Sequence, residues 1–447
     1  MDVLTQRFLV LGVSKSGASA VDYILSNGGK VKIFEELKDE KIDGVIASLV
    51  EKGAVNVTGL QMEQVFLDVD VLILSPGVPI NHRLCVYAKE RNIRIISEFE
   101  FGFLALYPRI VGVTGTNGKT TTVSLIDHVL KENSVSTSLV GNVGFPVSGR
   151  IEDIKKSQVC VAEVSSFQLE STKKFCPHIS CVLNVTPDHL ERHYTMDNYI
   201  YLKSRILLNQ TASEYAVLNY DDEIVRGFSD RTEARIEYVS VYEKTNGAYA
   251  IGSDLYYKDD FVISEDDLPI KGLHNVKNVL FAINVCALLG LSVDQIATAI
   301  KTFKGVKHRN ELVLEKDGIK FYNDSKSTNT ASTISAIESM VRPTVLILGG
   351  SEKGERYLEL FKKIKNSVIK HVVLCGDSRI HMLEDAGEVG YADVTVVKEF
   401  KNAVKIAKLY AEDGDSVLLS PACASFDAFN NYEERGERFC TLIQENV

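Results

Sequence analysis

The chain has 447 residues, which at roughly 150 per domain predicts about three domains. Hydrophobic content of 45% and charged content of 25% match globular averages and exclude a disordered or fibrous chain. Fifty basic against 60 acidic residues leave a net charge of −10, which argues against a bulk electrostatic grip on nucleic acid.

The longest apolar runs, such as Val71 to Leu74 and Val345 to Leu348, are strand-sized. None approaches the roughly 18 residues of a membrane-spanning helix. The opening MDVLTQRFLVLGV runs into a strand and a glycine turn, without the basic region and long apolar stretch of an export signal. Eight scattered cysteines form no CxxC pair, so neither a zinc site nor a disulfide framework is expected. A cytoplasmic protein that does not insert into membranes is the simplest reading.

The first block, residues 1–107, reads as a strand (Phe8 to Leu11), a glycine-rich turn, a helix (Ala18 to Leu25) and a strand (Lys30 to Phe34). A further strand ends in Val71-Leu-Ile-Leu-Ser-Pro-Gly77, and a short segment, Phe101 to Pro108, leads onward. Strands alternating with helices imply a parallel sheet covered on its faces. The turn Gly12-Val-Ser-Lys-Ser-Gly17 has Ser14 where a dinucleotide fingerprint has its middle glycine, so NAD is poorly supported. A helix start bearing Lys15 and Ser16 still suits a diphosphate. Glu35, ending the second strand, is suited to polar contact with a base or ribose, and Ser75-Pro-Gly77 offers another substrate-facing turn.

The second block, residues 108–304, carries the clearest nucleotide chemistry. In Ile110-Val-Gly-Val-Thr-Gly-Thr-Asn-Gly-Lys-Thr-Thr-Thr122 a strand enters a glycine-rich turn, and a helix leaves it at about Thr120. Backbone N–H groups at such a helix start face an anion. Gly115, Thr116, Asn117, Gly118 and Thr121 build the cradle; Lys119 would reach the β- and γ-phosphates of ATP, and the Thr120 hydroxyl would ligate Mg²⁺. The segment departs from GxxxxGK[ST], because Val113 stands where the first glycine is expected. Beyond it, the strand Gln158 to Val161 leads to Glu163, where a further Mg²⁺ ligand belongs. A third strand, Ser180 to Asn184, precedes His189, which could meet a metal through neutral imidazole. Lys203 follows in a helical stretch, Asp197 to Leu208, where spacing alone makes it a surface lysine. Arg235 to Ile270 reads as an antiparallel addition, and Gly272-Leu-His-Asn275 opens a helix through Leu289. The third block, residues 305–447, again alternates strands (Val345 to Leu348, Val372 to Leu374, Val417 to Leu419) with helices.

Taken together, TGTNGKTTT (114–122), GNVGFP (141–146), AEVSSFQLE (162–170), NVTPDHLERH (184–193) and LHNVKNVLFA (273–282) resemble the Mur ligase family. KHRNELV (307–313), NDSKSTN (323–329), LGGSEKG (348–354) and LLSPACASFDAFNNYEERG (418–436) extend the resemblance through the third block, in family order. It implies an α/β chain of three domains: Rossmann-like at 1–107, a P-loop ATPase-type parallel sheet at 108–304, and Rossmann-like again at 305–447. It also implies an ATP-dependent amide ligase of peptidoglycan precursor synthesis, of the EC 6.3.2 type, working as a monomer. NDSKSTN and SPACASFD look like the branch that adds D-glutamate to UDP-N-acetylmuramoyl-L-alanine.

The resemblance carries roles onto matching residues. Two Mg²⁺ ions are implied, one on Thr120 and Glu163, the other on His189 and a carbamate formed from Lys203 and CO₂. An unmodified lysine would bring positive charge towards a cation, so conversion to an anion is physically sensible. Asn142 would face the muramoyl substrate, while Arg309 and Lys326 would meet phosphate or the tetrahedral intermediate. Asp324 would bond the ATP ribose and Asn275 the adenine side. Thr328, Lys353, Ser425 and Phe426 are nominated for D-glutamate, and the third block is expected to close over the second.

Two other readings compete. A folylpolyglutamate-synthase-type ligase shares the ATP block but characteristically begins close to the phosphate loop; here about 110 residues precede Lys119. A nucleotide-dependent switch would leave His189, Lys203 and Lys326 without a task, and no NKxD motif is present. A sibling of the same family, adding another amino acid, is the nearer alternative.

Overall fold

The computed structural model describes residues 5–38, 40–106, 109–352, 354 and 356–445. They form two compact units, Met1–Leu268 with Val276–Phe303, and Pro269–Asn275 with Lys304–Val447.

The first unit opens with β1 (Arg7–Leu11), β2 (Lys30–Phe34), β3 (Val55–Asn56), β4 (Val71–Leu74) and β5 (Arg94–Ser97), paired in parallel in the order β3-β2-β1-β4-β5. Side chains alternate between faces along a strand, and both faces here are covered. Phe8 and Val10 therefore enter one core with Ile33 and Ile73, while Leu9 and Leu11 enter another with Leu72 and Leu74. That two-sided burial is why the strands read as unbroken apolar runs.

A second parallel sheet follows: β6 (Ile110–Thr114), β7 (Thr137–Gly141), β8 (Val159–Glu163), β9 (Ile179–Val182), β10 (Tyr215–Asn219) and β11 (Arg235–Val239), ordered β11-β10-β9-β6-β8-β7. The expectation of an antiparallel addition over Arg235 to Ile270 needs correcting at its start. Arg235–Val239 pairs in parallel with β10 and extends the central sheet. Only β12 (Ala248–Ile251), β13 (Asp254–Tyr257) and β14 (Asp260–Ser264) form the antiparallel sheet.

The helix Glu98–Leu106 lies between the two parallel sheets and is buried on nearly every side. Sequence reading treated its second half as a connector, because a helix without a polar face shows no 3.6-residue period. Phe101 packs on Phe8 of the first sheet at 5.7 Å, while Phe99 and Phe103 pack on Phe175 below the second at 4.8 and 5.3 Å. Gly102 lets the helix meet the chain after β7; a Cβ there would lie 2.5 Å from Val147. Two buried carboxylates serve backbone amides. Glu100 accepts from Lys174 and Phe175 at 2.7 and 3.0 Å, and Glu98 accepts from Ser148 N at 2.8 Å and from the Ser148 hydroxyl.

In the second unit β15 (Glu311–Lys316) runs antiparallel to β16 (Ile319–Asn323). β17 (Thr344–Gly349), β18 (Ile369–Cys375), β19 (Val394–Val396) and β20 (Ser416–Leu419) complete the order β15-β16-β20-β17-β18-β19 in parallel. The β15–β16 turn holds Asp317 and Gly318 at φ of 53° and 74°, the left-handed pair a tight hairpin favours. Among the described residues no helix is long and apolar enough to cross a membrane. All eight cysteines are free.

Burial without a cation pushes the Glu98 carboxyl up to about 6. A carboxyl raised in the fold favours folding below its unfolded pKa, and that contribution is lost as pH rises through the folded value. Between pH 4 and 7.5 wild-type stability should therefore fall by about 2 kcal/mol relative to Glu98→Gln. Urea titrations of both proteins across that range check this; parallel profiles would refute it.

Candidate active site

β6 ends at Thr114, and the chain turns through Gly115 at φ 154° and Gly118 at φ 86° before the helix Lys119–Glu132 begins. A Cβ on Gly118 would come within 2.4 Å of Asn278 Oδ1, which also accepts from the Thr122 hydroxyl at 3.2 Å. Glycine is thus required twice, by conformation and by space. Asn184, at the end of β9, brackets the loop: its Oδ1 accepts from Asn117 N at 2.8 Å and its Nδ2 donates to Asn117 O at 3.1 Å. Thr116 donates to Thr186 O at 3.0 Å. Val113, the departure from the P-loop pattern, is a fully buried member of β6, so the cradle begins only after the strand.

Lys119 folds over its own loop, donating to Gly115 O at 2.8 Å and Thr116 O at 2.7 Å. Lys203 arrives from the helix Met196–Ser204 and donates to the same Gly115 carbonyl at 2.7 Å. Its side chain is not on the surface, as spacing alone suggested, but 2% exposed. Burial first, and the Lys119 charge second, hold its pKa well below the usual lysine value, against the opposing pull of Asp188 and Glu163. Glu163 closes β8 at 2% exposure and takes the Thr120 hydroxyl on Oε2 at 2.8 Å and Asn142 Nδ2 on Oε1 at 2.8 Å. Gly141 makes room for that approach, since a Cβ would sit 2.2 Å from Glu163 O. Lys119, Thr120, Asn142, Glu163 and Lys203 are therefore brought together around one glycine-rich loop.

His189 lies at the end of the following loop in a left-handed conformation, φ 54°, with Asp188 Oδ2 at 3.7 Å and the Phe167 ring at 4.9 Å. His193, one turn on, shares a hydrogen bond with the Ser166 hydroxyl at 3.0 Å and stacks on Tyr199. Among the described residues no three His, Cys, Asp or Glu side chains gather as a metal cluster. The donors present are a hydroxyl and carboxylate at Thr120 and Glu163, and the Asp188–His189 pair.

At the carboxyl ends of β1 and β2, Gly12 turns at φ 84°, and a Cβ on Gly17 would meet Gly12 O at 1.8 Å. Lys15 and Ser16 start the helix Lys15–Ser26, and Lys15 Nζ reaches Gly144 O at 2.9 Å. Glu35 is buried and already engaged: its carboxylate accepts from Val13 N at 2.8 Å and Leu37 N at 2.9 Å. In this geometry it shapes the two loops flanking the turn. Gly77 offers its carbonyl to Arg192 at 3.3 Å.

Within the second unit, Asp324 is 1% exposed and accepts from the Ser420 hydroxyl at 2.7 Å and Asn310 N at 3.0 Å. Burial raises its pKa, opposed chiefly by Arg309. Lys326 sits over the Tyr432 ring at 5.3 Å, and Thr328 is half-buried in the same loop. Asn275 donates to Lys271 O at 2.9 Å. Ser425 is buried, whereas Phe426 is 74% exposed. Lys353 lies outside the described residues.

Sequence reading assigned nothing to Arg435, although it stands inside a quoted motif. It is buried, and it donates to Ser325 Oγ and O at 2.9 and 2.8 Å, to Cys423 O at 3.0 Å and to Ala424 O at 3.2 Å. One guanidinium thereby pins the 323–329 loop to the 420–425 loop, and desolvation pulls its pKa to about 10. Asn184, Asn278 and Tyr199 were missed likewise. Their partners lie far away in sequence, so no local pattern marks them.

Comparison with known proteins agrees along the whole chain. Residues 113–286 match the Mur ligase middle domain, 308–423 the Mur ligase glutamate ligase domain, and 6–97 the Mur ligase MurD-like N-terminal domain. A UDP-N-acetylmuramoylalanine–D-glutamate ligase of Clostridioides difficile is 39% identical over 446 residues, covering 98% of both chains. One from Caldanaerobacter subterraneus is 38% identical over 450 residues, covering 100% of this chain and 99% of its own. Among solved structures, a UDP-N-acetylmuramate–alanine ligase of Thermotoga maritima superposes with a TM-score of 0.62 at 18% identity, covering 98% of this chain and 99% of its own. A MurF ligase of the same organism, in complex with ADP, gives a TM-score of 0.62 at 18% identity, covering 99% and 98%. At those identities the structural likeness speaks for the fold.

The loop geometry has a direct consequence. Gly118→Ala should weaken ATP binding by at least about tenfold, because the left-handed turn and the Asn278 contact both exclude a methyl group. Equilibrium dialysis measures this; unchanged affinity would show that the loop tolerates rearrangement.

Proposed function

The chain belongs to the Mur ligase family, and from that membership we propose that it joins D-glutamate to UDP-N-acetylmuramoyl-L-alanine, consuming ATP in peptidoglycan precursor synthesis in the cytoplasm. What carries this reading is the end-to-end likeness to D-glutamate ligases, which includes the segments around NDSKSTN and SPACASFD.

In the proposed reaction, the alanyl carboxylate attacks the γ-phosphorus of ATP, forming an acyl phosphate and releasing ADP. The amine of D-glutamate then adds to the activated carbonyl, loses a proton, and the tetrahedral intermediate expels inorganic phosphate as the amide forms. Charge develops on phosphoryl oxygens first, so electrostatic positioning should dominate. Lys119 and the amides at the start of its helix are suited to hold the phosphates. Thr120 and Glu163 present hard oxygen donors of the kind Mg²⁺ takes, and the ion bound there would neutralise triphosphate charge. Asn142, hydrogen-bonded to Glu163 and otherwise exposed, orients that carboxylate and is assigned to contact with the muramoyl substrate.

Lys203 fits carbamylation by CO₂, because only a neutral amine is nucleophilic and burial, then Lys119, shift this one towards its neutral form. Its nitrogen would bond the CO₂ carbon as its proton leaves, and the resulting anion would lie beside Lys119; with His189 it is assigned to hold a second Mg²⁺. Arg309 and Lys326 are assigned to the acyl phosphate and the intermediate, Asp324 and Asn275 to the nucleoside. Thr328, Ser425, Phe426 and Lys353 are assigned to D-glutamate, and Lys15, Ser16, Glu35 and Gly77 to the nucleotide-sugar.

Phosphate release with UDP-N-acetylmuramoyl-L-alanine should require D-glutamate and fail with L-glutamate, L-lysine or L-alanine. Release with a different amine would move the chain to a sibling activity, and no release at all would remove the ligase assignment. Lys203→Ala should lower turnover on the order of 10²-fold. Wild type supplied with ¹³C-bicarbonate should show a carbamate carbonyl resonance that the variant lacks. A wild-type spectrum without that signal would rule the modification out.

A further inference from the structure

Arg192, in the short helix Leu190–His193, is absorbed by none of these roles, yet its side chain reaches residues 22 to 115 positions away. Its guanidinium donates to Gly77 O at 3.3 Å, Val78 O at 2.9 Å and Glu170 Oε2 at 2.7 Å, and lies over the Phe167 ring at 5.2 Å. Arginine and glutamate are both largely buried, at 16% and 14% side-chain exposure. Each contact leads to a different part of the proposed site. The turn Ser75–Val78 packs against the Gly12 turn: Ser75 N donates to Leu11 O at 3.0 Å, and Ser75 Oγ lies 3.4 Å from Ser14 Oγ. On the other side, Phe167 touches the rings of His189 and His193 at 4.9 and 5.2 Å. Arg192 also follows His189 by less than one helical turn, its N–H bonded to His189 O at 3.1 Å.

We propose that Arg192 is a positioning residue that couples occupancy of the sugar-nucleotide turns, Gly12–Ser14 and Ser75–Val78, to the orientation of His189 through Phe167. The inference rests on the sugar-nucleotide reading above. Arginine suits the task because its planar fork satisfies two carbonyls and a carboxylate at once in a fixed geometry; a lysine ammonium reaches one or two of them from a flexible stem. A shift of the turn on ligand binding therefore moves the guanidinium, and the adjoining Phe167 and His189 rings, tilted 56° to one another, follow.

The test uses full-length protein without metal or ATP, with imidazole nitrogens labelled. In wild type, UDP-N-acetylmuramoyl-L-alanine should shift the His189 and His193 ring signals. In Arg192→Ala those shifts should fall by more than half, the KM for the sugar-nucleotide should rise about tenfold, and the KM for ATP should stay within about twofold. Arg192→Lys, which keeps the charge on Glu170, should fall between the two, and it carries the test if the alanine variant does not fold. Histidine signals that respond in both variants as in wild type would overturn the coupling. So would equal rises in both KM values with a lowered Tm, which mark a merely structural residue. Wild type that fails to bind the sugar-nucleotide would overturn the functional reading itself, and this inference with it.

Discussion

One carbonyl oxygen organises the central site. Gly115 O receives both Lys119 and Lys203, at 2.8 and 2.7 Å, in a place from which most water is removed. Two ammonium groups cannot share such a point without mutual repulsion, and the deeper one yields its proton more readily. The geometry therefore divides labour between two lysines. Lys119, half-buried at the helix start, keeps the position from which an anion is met. Lys203, sealed beneath, has its pKa lowered by that burial. Placing Glu163 and Asp188 near Lys203 only partly offsets its desolvation, so the site is poised to accept negative charge. The proposed carbamate on Lys203 would supply that charge from within, and a bound triphosphate from without.

The same economy extends to the first unit's architecture. A fully buried helix, Glu98–Leu106, gives one aromatic to the first sheet's core and two to the second's. Its glutamates hold backbone amides of the second sheet's loops, Ser148 on one side and Lys174 and Phe175 on the other. Ser148 ends the segment whose beginning carries Asn142. The segments around Ser148 and Lys174 are thus tied to one buried helix, and two donors meet one oxygen of Glu98 inside it.

How far the sequence foretold this follows from the range of each interaction. The phosphate loop was legible because its requirements are local: glycines at fixed offsets, a lysine, a threonine and a strand-to-helix change. The strands were legible where both faces are buried, as at β1, β4 and β17. Lys203 was visible only through family resemblance, since its own helix gives no hint that this face is covered. The β15–β16 hairpin was not read from the sequence, although Asp317-Gly318 marks its turn, because its strands are only half-buried and their apolar pattern is faint. Arg192, Arg435 and Asn184 were invisible as organisers, because the partners of their side chains stand from 11 to 115 residues away.

Those two arginines show what local motifs leave out. Each bridges two separate segments: Arg192 takes the carbonyls of residues 77 and 78 and the carboxylate of Glu170, Arg435 the carbonyls of residues 325, 423 and 424. Loops at the carboxyl ends of a parallel sheet leave many carbonyls without ladder partners, and burying them unsatisfied costs about 1–3 kcal/mol apiece. A guanidinium answers several at once with rigid geometry, so the loops are fixed relative to one another as well as solvated by protein. Rigidity of that kind is what a ligase needs where a carboxylate, a phosphate and an amine must meet within bonding distance. The arginines touch no reacting atom in this reading, yet the alignment of residues that do depends on them.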